Sequence, residues 1–190
     1  MASSKIFYSV LLGYFLLMSS LVFFGTSIRS HLAEDDKSSA DLISKTCSHT
    51  LYYEICVFSL KSDPRSETAD VQGLADIALS VSIAYGEETL AHVTDLKSKA
   101  TENETLSSCL GDCVQEYNDA VGDLQEAADA LKVKSLENVK TLVSSAMTDS
   151  DTCEEGFKEM ELGDGSPLAD RSQYFSKLCS NLLAITHLLS

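Results

Sequence analysis

The sequence predicts an all-α fold, an up-down-up-down four-helix bundle preceded by a disulfide-closed helical hairpin. Three observations predict it. Helix breakers are scarce, with two prolines and nine glycines in 190 residues, whereas Ala, Leu, Glu, Ser and Lys abound. Four long segments repeat apolar residues at steps of three and four, and no stretch sustains the alternation of a strand. The links between those segments are short and polar, which forces consecutive helices to run antiparallel.

The N-terminus reads as a targeting segment. Met1 to Lys5 is a short basic start, residues 6–25 are almost wholly apolar, and Gly25-Thr26-Ser27 supplies a small-residue site. That order predicts a secretory signal peptide over residues 1–27. The run is also long enough to span a bilayer as a retained anchor, but an anchor has no need of the small-residue site. Residues 28–37 form a spacer, and 38–190 form one domain of a size that buries a core.

Within that domain, residues 38–62 carry two short apolar helical stretches around a break near Ser48-His49, with Cys47 and Cys56 on either side. This is the hairpin. The bundle occupies 63–190. Its first helix is expected to open at Asp63-Pro64, an acidic cap with Pro in the first turn, and to run to about Lys99. Its stripe is Val71, Leu74, Ala78, Val81 and Tyr85. The second carries Leu106, Leu110, Cys113, Tyr117, Ala120, Leu124, Ala127 and Leu131. The third carries Leu136, Val139, Val143, Ala146, Ser150, Cys153, Phe157 and Met160. The fourth opens near Ser166-Pro167 and carries Leu168, Phe175, Leu178, Leu182, Ile185 and Leu189.

All six cysteines follow the signal segment, and an even number in an oxidising compartment predicts disulfides. Six permit fifteen connectivities, and helix geometry narrows them. Cys113 lies about nine residues down the second helix and Cys153 about eighteen residues up the third. In a bundle roughly 40 Å tall both arrive at nearly the same height, on facing seams. The predicted bridges are Cys47–Cys56 and Cys113–Cys153. Cys109 and Cys179 sit one position off their seams on helices expected to be diagonal, so they are read as free thiols, with a third bridge as the alternative.

Charge and motif content exclude several functions. The formal net charge is −15, which gives no electrostatic route to nucleic acid and points to a basic protein partner. Once the signal segment is removed, nothing else predicts a membrane association. The histidines at 31, 49, 92 and 187 are dispersed, and no HExxH, GxSxG, P-loop or GxGxxG occurs. Cys109 and Cys113 have CxxxC spacing without a second pair. No catalytic, metal or cofactor residue is predicted, and most carboxylates read as the wet faces of helices. Asn103-Glu104-Thr105 is an N-glycosylation sequon in the first interhelical turn.

The ordered set of these features resembles the plant invertase and pectin methylesterase inhibitor family. The residues that carry the resemblance are Cys47-x8-Cys56, Asp63-Pro64-Arg65-Ser66, Cys113-x3-Tyr117, Ser145-Ala146-Met147 with Asp151-Thr152-Cys153-Glu154-Glu155-Gly156-Phe157, and Ser180-Asn181-Leu182-Leu183-Ala184-Ile185. Residues 62–73 and 152–159 are similar to pollen-allergen members described as invertase inhibitors. The resemblance implies a non-enzymatic inhibitor that occludes the active-site cleft of a secreted carbohydrate-active enzyme in a 1:1 complex. Its localisation would be the cell wall, or alternatively the vacuole. In the invertase-directed branch a Pro-Lys-Phe motif follows the second bundle helix, where this chain reads Val133-Lys134-Ser135. Its absence makes pectin methylesterase the expected target, with acid invertase as the alternative. For that target the resemblance places the contact on the second and third helices. The candidates are Asp112, Gln115, Glu116 and Asp119, with Lys140 and Ser144 expected to face them. The rival from another class is a secreted structural or ligand-carrying bundle with no enzyme target.

Overall fold

The structure is a computed structural model that describes residues 39–160 and 165–190. The expected signal peptide and spacer lie outside the described residues. A compact unit extends from Leu42 to Ser190. Helix α1 (39–47) and α2 (Tyr53–Lys61) form the hairpin, followed by a short 3-10 turn at Pro64–Glu67. Then come α3 (Val71–Lys99), α4 (Glu104–Lys132), α5 (Leu136–Glu159) and α6 (Ala169–His187). The long helices pack as an antiparallel bundle in which α3 and α5 each lie between α4 and α6. That leaves α4 and α6 diagonal to one another. Among the described residues, no helix is long and apolar enough to cross a membrane.

The hairpin is closed by Cys47–Cys56, with Cα atoms 5.6 Å apart. It is fastened to the bundle by Asn181 of α6, a buried side chain that makes two hydrogen bonds to one backbone residue. Its Nδ2 donates to the Tyr52 carbonyl (3.0 Å) and its Oδ1 accepts from the Tyr52 amide (3.2 Å). A buried carboxamide needs partners for both ends, and the turn between α1 and α2 supplies them.

The first bundle helix starts later than Asp63-Pro64 predicts. Asp63 does cap, accepting from the Arg65 amide at 2.9 Å, but the turn it starts is the 3-10 segment. Asp70 then provides a second cap through the Gly73 amide at 2.8 Å, and α3 begins there. Similarly α6 begins at Ala169, after Ser166 Oγ accepts from the Leu168 amide.

The buried face of α3 also departs from the apolar stripe. Leu74 and Ala78 lie on it, but Val81 and Tyr85 are only half-buried, and the seam continues through Ser82, Gly86, Thr89 and Val93. The hydroxyls of Ser82 and Thr89 donate to the carbonyls of Ala78 and Tyr85 one turn back. With that bond made, each side chain packs as a small group. Gly86 allows the closest approach, since a Cβ there would stand 3.0 Å from Val121 Cγ2 and 3.2 Å from Phe175 Cε2.

The other seams follow the three-four pattern, with four exceptions at helix ends. Met160 is exposed, and Leu106, Leu136 and Leu189 are half-buried. Tyr117, Leu124, Phe175, Leu182 and Ile185 are fully buried, each worth on the order of 2 kcal/mol in apolar area removed from water. Tyr117 meets Phe175 edge-on at 5.7 Å.

Candidate functional site

Helices α4 and α5 have an inner and an outer face, and their relative register is set twice. The Cys113–Cys153 bridge brings the two Cα atoms to 4.7 Å. One turn further along α4, the Tyr117 hydroxyl meets Ser150 Oγ at 3.0 Å. Residues read across the pair can therefore be matched by height.

On the inner face every polar group finds a partner. Tyr117 Oη donates to Ser172 Oγ of α6 (3.0 Å), and Ser172 Oγ donates to Glu154 Oε1 of α5 (2.6 Å). Since the tyrosine proton is used on Ser172, Ser150 is the donor to Tyr117. Glu154 Oε1 also accepts from Ser166 Oγ, at 2.9 Å. The chain runs Ser150, Tyr117, Ser172, Glu154 and ends on a carboxylate, the arrangement that strengthens each bond in a low-dielectric interior.

The outer face is different. Asp112, Gln115 and Asp119 are exposed on α4, and Glu116 is half-buried. Asp112 and Glu116 line a crevice of about 280 Å³ shared with Thr152, Glu155 and Glu159 of α5. One turn along α5, Asp149 points at the same strip of α4. Burial, followed by the charges of Asp123, Glu116 and Asp119, pushes its carboxyl up to about 6. Its Oδ2 is buried with no hydrogen-bond partner among the described residues. Burial, Asp119 and Asp112 likewise raise Glu116. Like charges in a partly desolvated groove disfavour each other's ionised form. The groove is thus a concentrated negative surface, and among the described residues no ion pair joins a cation to its carboxylates.

Two of the expected contact residues lie elsewhere. Lys140 and Ser144 do not face Asp112 to Asp119: the register places Lys140 level with Glu126 and Ser144 level with Gly122. Lys140 Nζ pairs instead with Glu137 on its own helix. Antiparallel helices bring high numbers on one opposite low numbers on the other, so candidates near the start of α5 end up near the finish of α4. Asp149 of α5, absent from the expected set, faces Glu116 and Asp119 instead, and Asp123 continues the same strip along α4. The Cys113–Cys153 spacing is the sequence signal that locates them, once it is used as a ruler for height.

Cys109 and Cys179 are buried thiols. Burial raises both, Cys179 to about 12 and Cys109 with help from Asp112 and Glu154. A thiol held protonated is a poor nucleophile, and the diagonal placement of α4 and α6 keeps the two apart. Asn103 caps α4, its Oδ1 accepting from the Leu106 amide at 3.0 Å. At the α4–α5 turn, Lys134 adopts a left-handed backbone with φ of 57°, and Val133 beside it is 76% exposed.

A profile of the family described as "Plant invertase/pectin methylesterase inhibitor" matches residues 41–185. A "Putative invertase inhibitor" from Platanus acerifolia is 39% identical over 158 residues, covering 80% of this chain and 87% of its own. The "Cell wall / vacuolar inhibitor of fructosidase 2" of Arabidopsis thaliana is 30% identical, covering 77% and 79%. Among solved structures, a mutant form of a pectin methylesterase inhibitor from Arabidopsis superposes with a TM-score of 0.65 at 25% identity. It covers 77% of this chain and 95% of its own.

Proposed function

The chain belongs to the plant invertase/pectin methylesterase inhibitor family, and from that premise we propose that it is a secreted inhibitor of a pectin methylesterase. It binds the enzyme 1:1 and occludes the active-site cleft with the outer face of α4 and α5. The observation that carries this reading is the acidic groove of Asp112, Glu116, Asp119, Asp123 and Asp149, whose carboxylates make no ion pair among the described residues. Pectin is a polyanion and would be repelled by that surface, whereas a basic enzyme adsorbed on pectin would be steered to it. Contact with a cation relieves the like-charge repulsion, so binding energy is available there before any new apolar burial. No chemistry is asked of the inhibitor itself.

The choice of target rests on the α4–α5 turn. Val133-Lys134-Ser135 presents a lysine but lacks the Pro and Phe associated with the invertase-directed branch. The solved pectin methylesterase inhibitor supports the same target. A second reading, inhibition of a cell-wall or vacuolar acid invertase, is favoured by the names of the Platanus and Arabidopsis relatives. The disulfide-bonded protein, titrated in parallel against a pectin methylesterase and an acid invertase, decides between them. Loss of methylester hydrolysis near one equivalent, with sucrose hydrolysis untouched, is the expected result. Loss of sucrose hydrolysis alone would transfer the proposal to invertase, and silence in both would refute it.

A further inference from the structure

We propose that Asn103 carries an N-linked oligosaccharide at the end of the bundle where α4 begins; this rests on the secretory reading above. Asn103-Glu104-Thr105 is an acceptor sequence, and all three residues are exposed. They lie where the turn after α3 passes into α4, so no helix has to open to admit a sugar.

The capping bond decides which atom is presented. Asn103 Oδ1 accepts from the Leu106 amide, which turns the oxygen toward the helix and, because the carboxamide is planar, turns Nδ2 outward. Nδ2 donates to none of the described residues. Attachment uses one of its two N–H bonds and leaves Oδ1 in place, so the cap survives modification. In the transfer, an N–C bond forms between Nδ2 and the anomeric carbon of a lipid-linked oligosaccharide pyrophosphate. The C–O bond to the pyrophosphate breaks, the lipid pyrophosphate leaves with the electron pair, and Nδ2 gives up one proton.

The surroundings suit a carbohydrate. Lys97, Thr101, Glu104, Ser107, Ser108 and Asp112 line an open polar crevice of about 750 Å³ along the start of α4, where the hydroxyls of the first sugars find donors and acceptors. That crevice reaches Asp112, the near end of the acidic groove, nine residues and about 14 Å along α4, whereas Glu116 lies thirteen residues and about 20 Å along it.

The test expresses the full chain in plant cells and takes the intact mass of secreted protein before and after amidase digestion. Wild type is expected to carry one glycan, which digestion removes with conversion of Asn103 to Asp. Asn103→Asp keeps an acid at the cap and is expected to be secreted unglycosylated with an unchanged melting temperature, as is Thr105→Ala. Thr105→Ser is expected to keep the glycan. Secreted wild type with the bare polypeptide mass, or a glycan that persists in Asn103→Asp, overturns the proposal. If the chain is not exported, the secretory reading fails by itself. The full chain behind an added secretory leader then reads the site separately, by the same masses.

Discussion

The two faces of the α4–α5 pair are built from neighbouring residues on the same helices and follow opposite rules. On the inner face Tyr117, Ser150, Ser172 and Glu154 form a closed set of hydrogen bonds between 2.6 and 3.0 Å. One residue away from Tyr117 and from Ser150, on the outer face, Glu116 and Asp149 meet with Asp119 and Asp123 and pair with no cation among the described residues. Polar groups on the first face are satisfied internally, and the fold gains from them. Those on the second are held against their own repulsion, a cost that a fold alone has no reason to retain. A partner of opposite charge gives it one.

The largest expected effect is on the inner face. Tyr117→Ala removes a fully buried ring and the centre of the network, and should destabilise by about 4 kcal/mol in denaturant unfolding. Replacing Cys113 and Cys153 by Ala should cost up to about 4 kcal/mol from loop entropy, against about 2.7 kcal/mol for the shorter Cys47–Cys56 loop. Tyr117→Phe keeps the ring and removes only the hydroxyl, so about 1 kcal/mol is expected. If the phenylalanine variant matched wild type, the network would be ornamental to stability and the contrast between faces would weaken.

On the outer face the sign reverses. Asp149 is harder to ionise in the fold than in the unfolded chain. Its contribution therefore favours the fold fully below 3.8 and is lost as pH rises through about 6. Asp149→Asn should stabilise the protein at pH 7 by on the order of 1 kcal/mol, discounted for solvent screening. The same variant should have no effect at pH 3.5. A melting temperature that falls at neutral pH would mean that Asp149 has a partner in the fold and that the groove is not frustrated.

Much of the fold is legible in the sequence because three-four spacing of large apolar residues survives in α4, α5 and α6. It fails on α3, where Ser82, Gly86 and Thr89 fill the seam: small residues with internally satisfied hydroxyls carry no hydrophobic signal. The start of α3 is displaced for a related reason, since Asp63 and Asp70 are both competent caps and only tertiary context selects the second for the long helix. The site is legible in part. Asp112, Glu116 and Asp119 can be picked out as off-seam acids on α4. Asp149 looks like any other wet-face carboxylate until α5 is set in register against α4, and the same register removes Lys140 from the face.

The central claim is that the outer α4–α5 groove binds the target. The most direct test is the inhibition constant of Glu116→Gln/Asp119→Asn against pectin methylesterase, beside wild type at low and high salt. The account predicts a loss of at least about tenfold, or 1.4 kcal/mol, at low salt. That loss should shrink as salt screens the wild-type advantage, while the melting temperature is unchanged or raised. Unaltered inhibition by a folded double variant, with no salt dependence in either protein, would contradict the claim and place the interface elsewhere on the bundle.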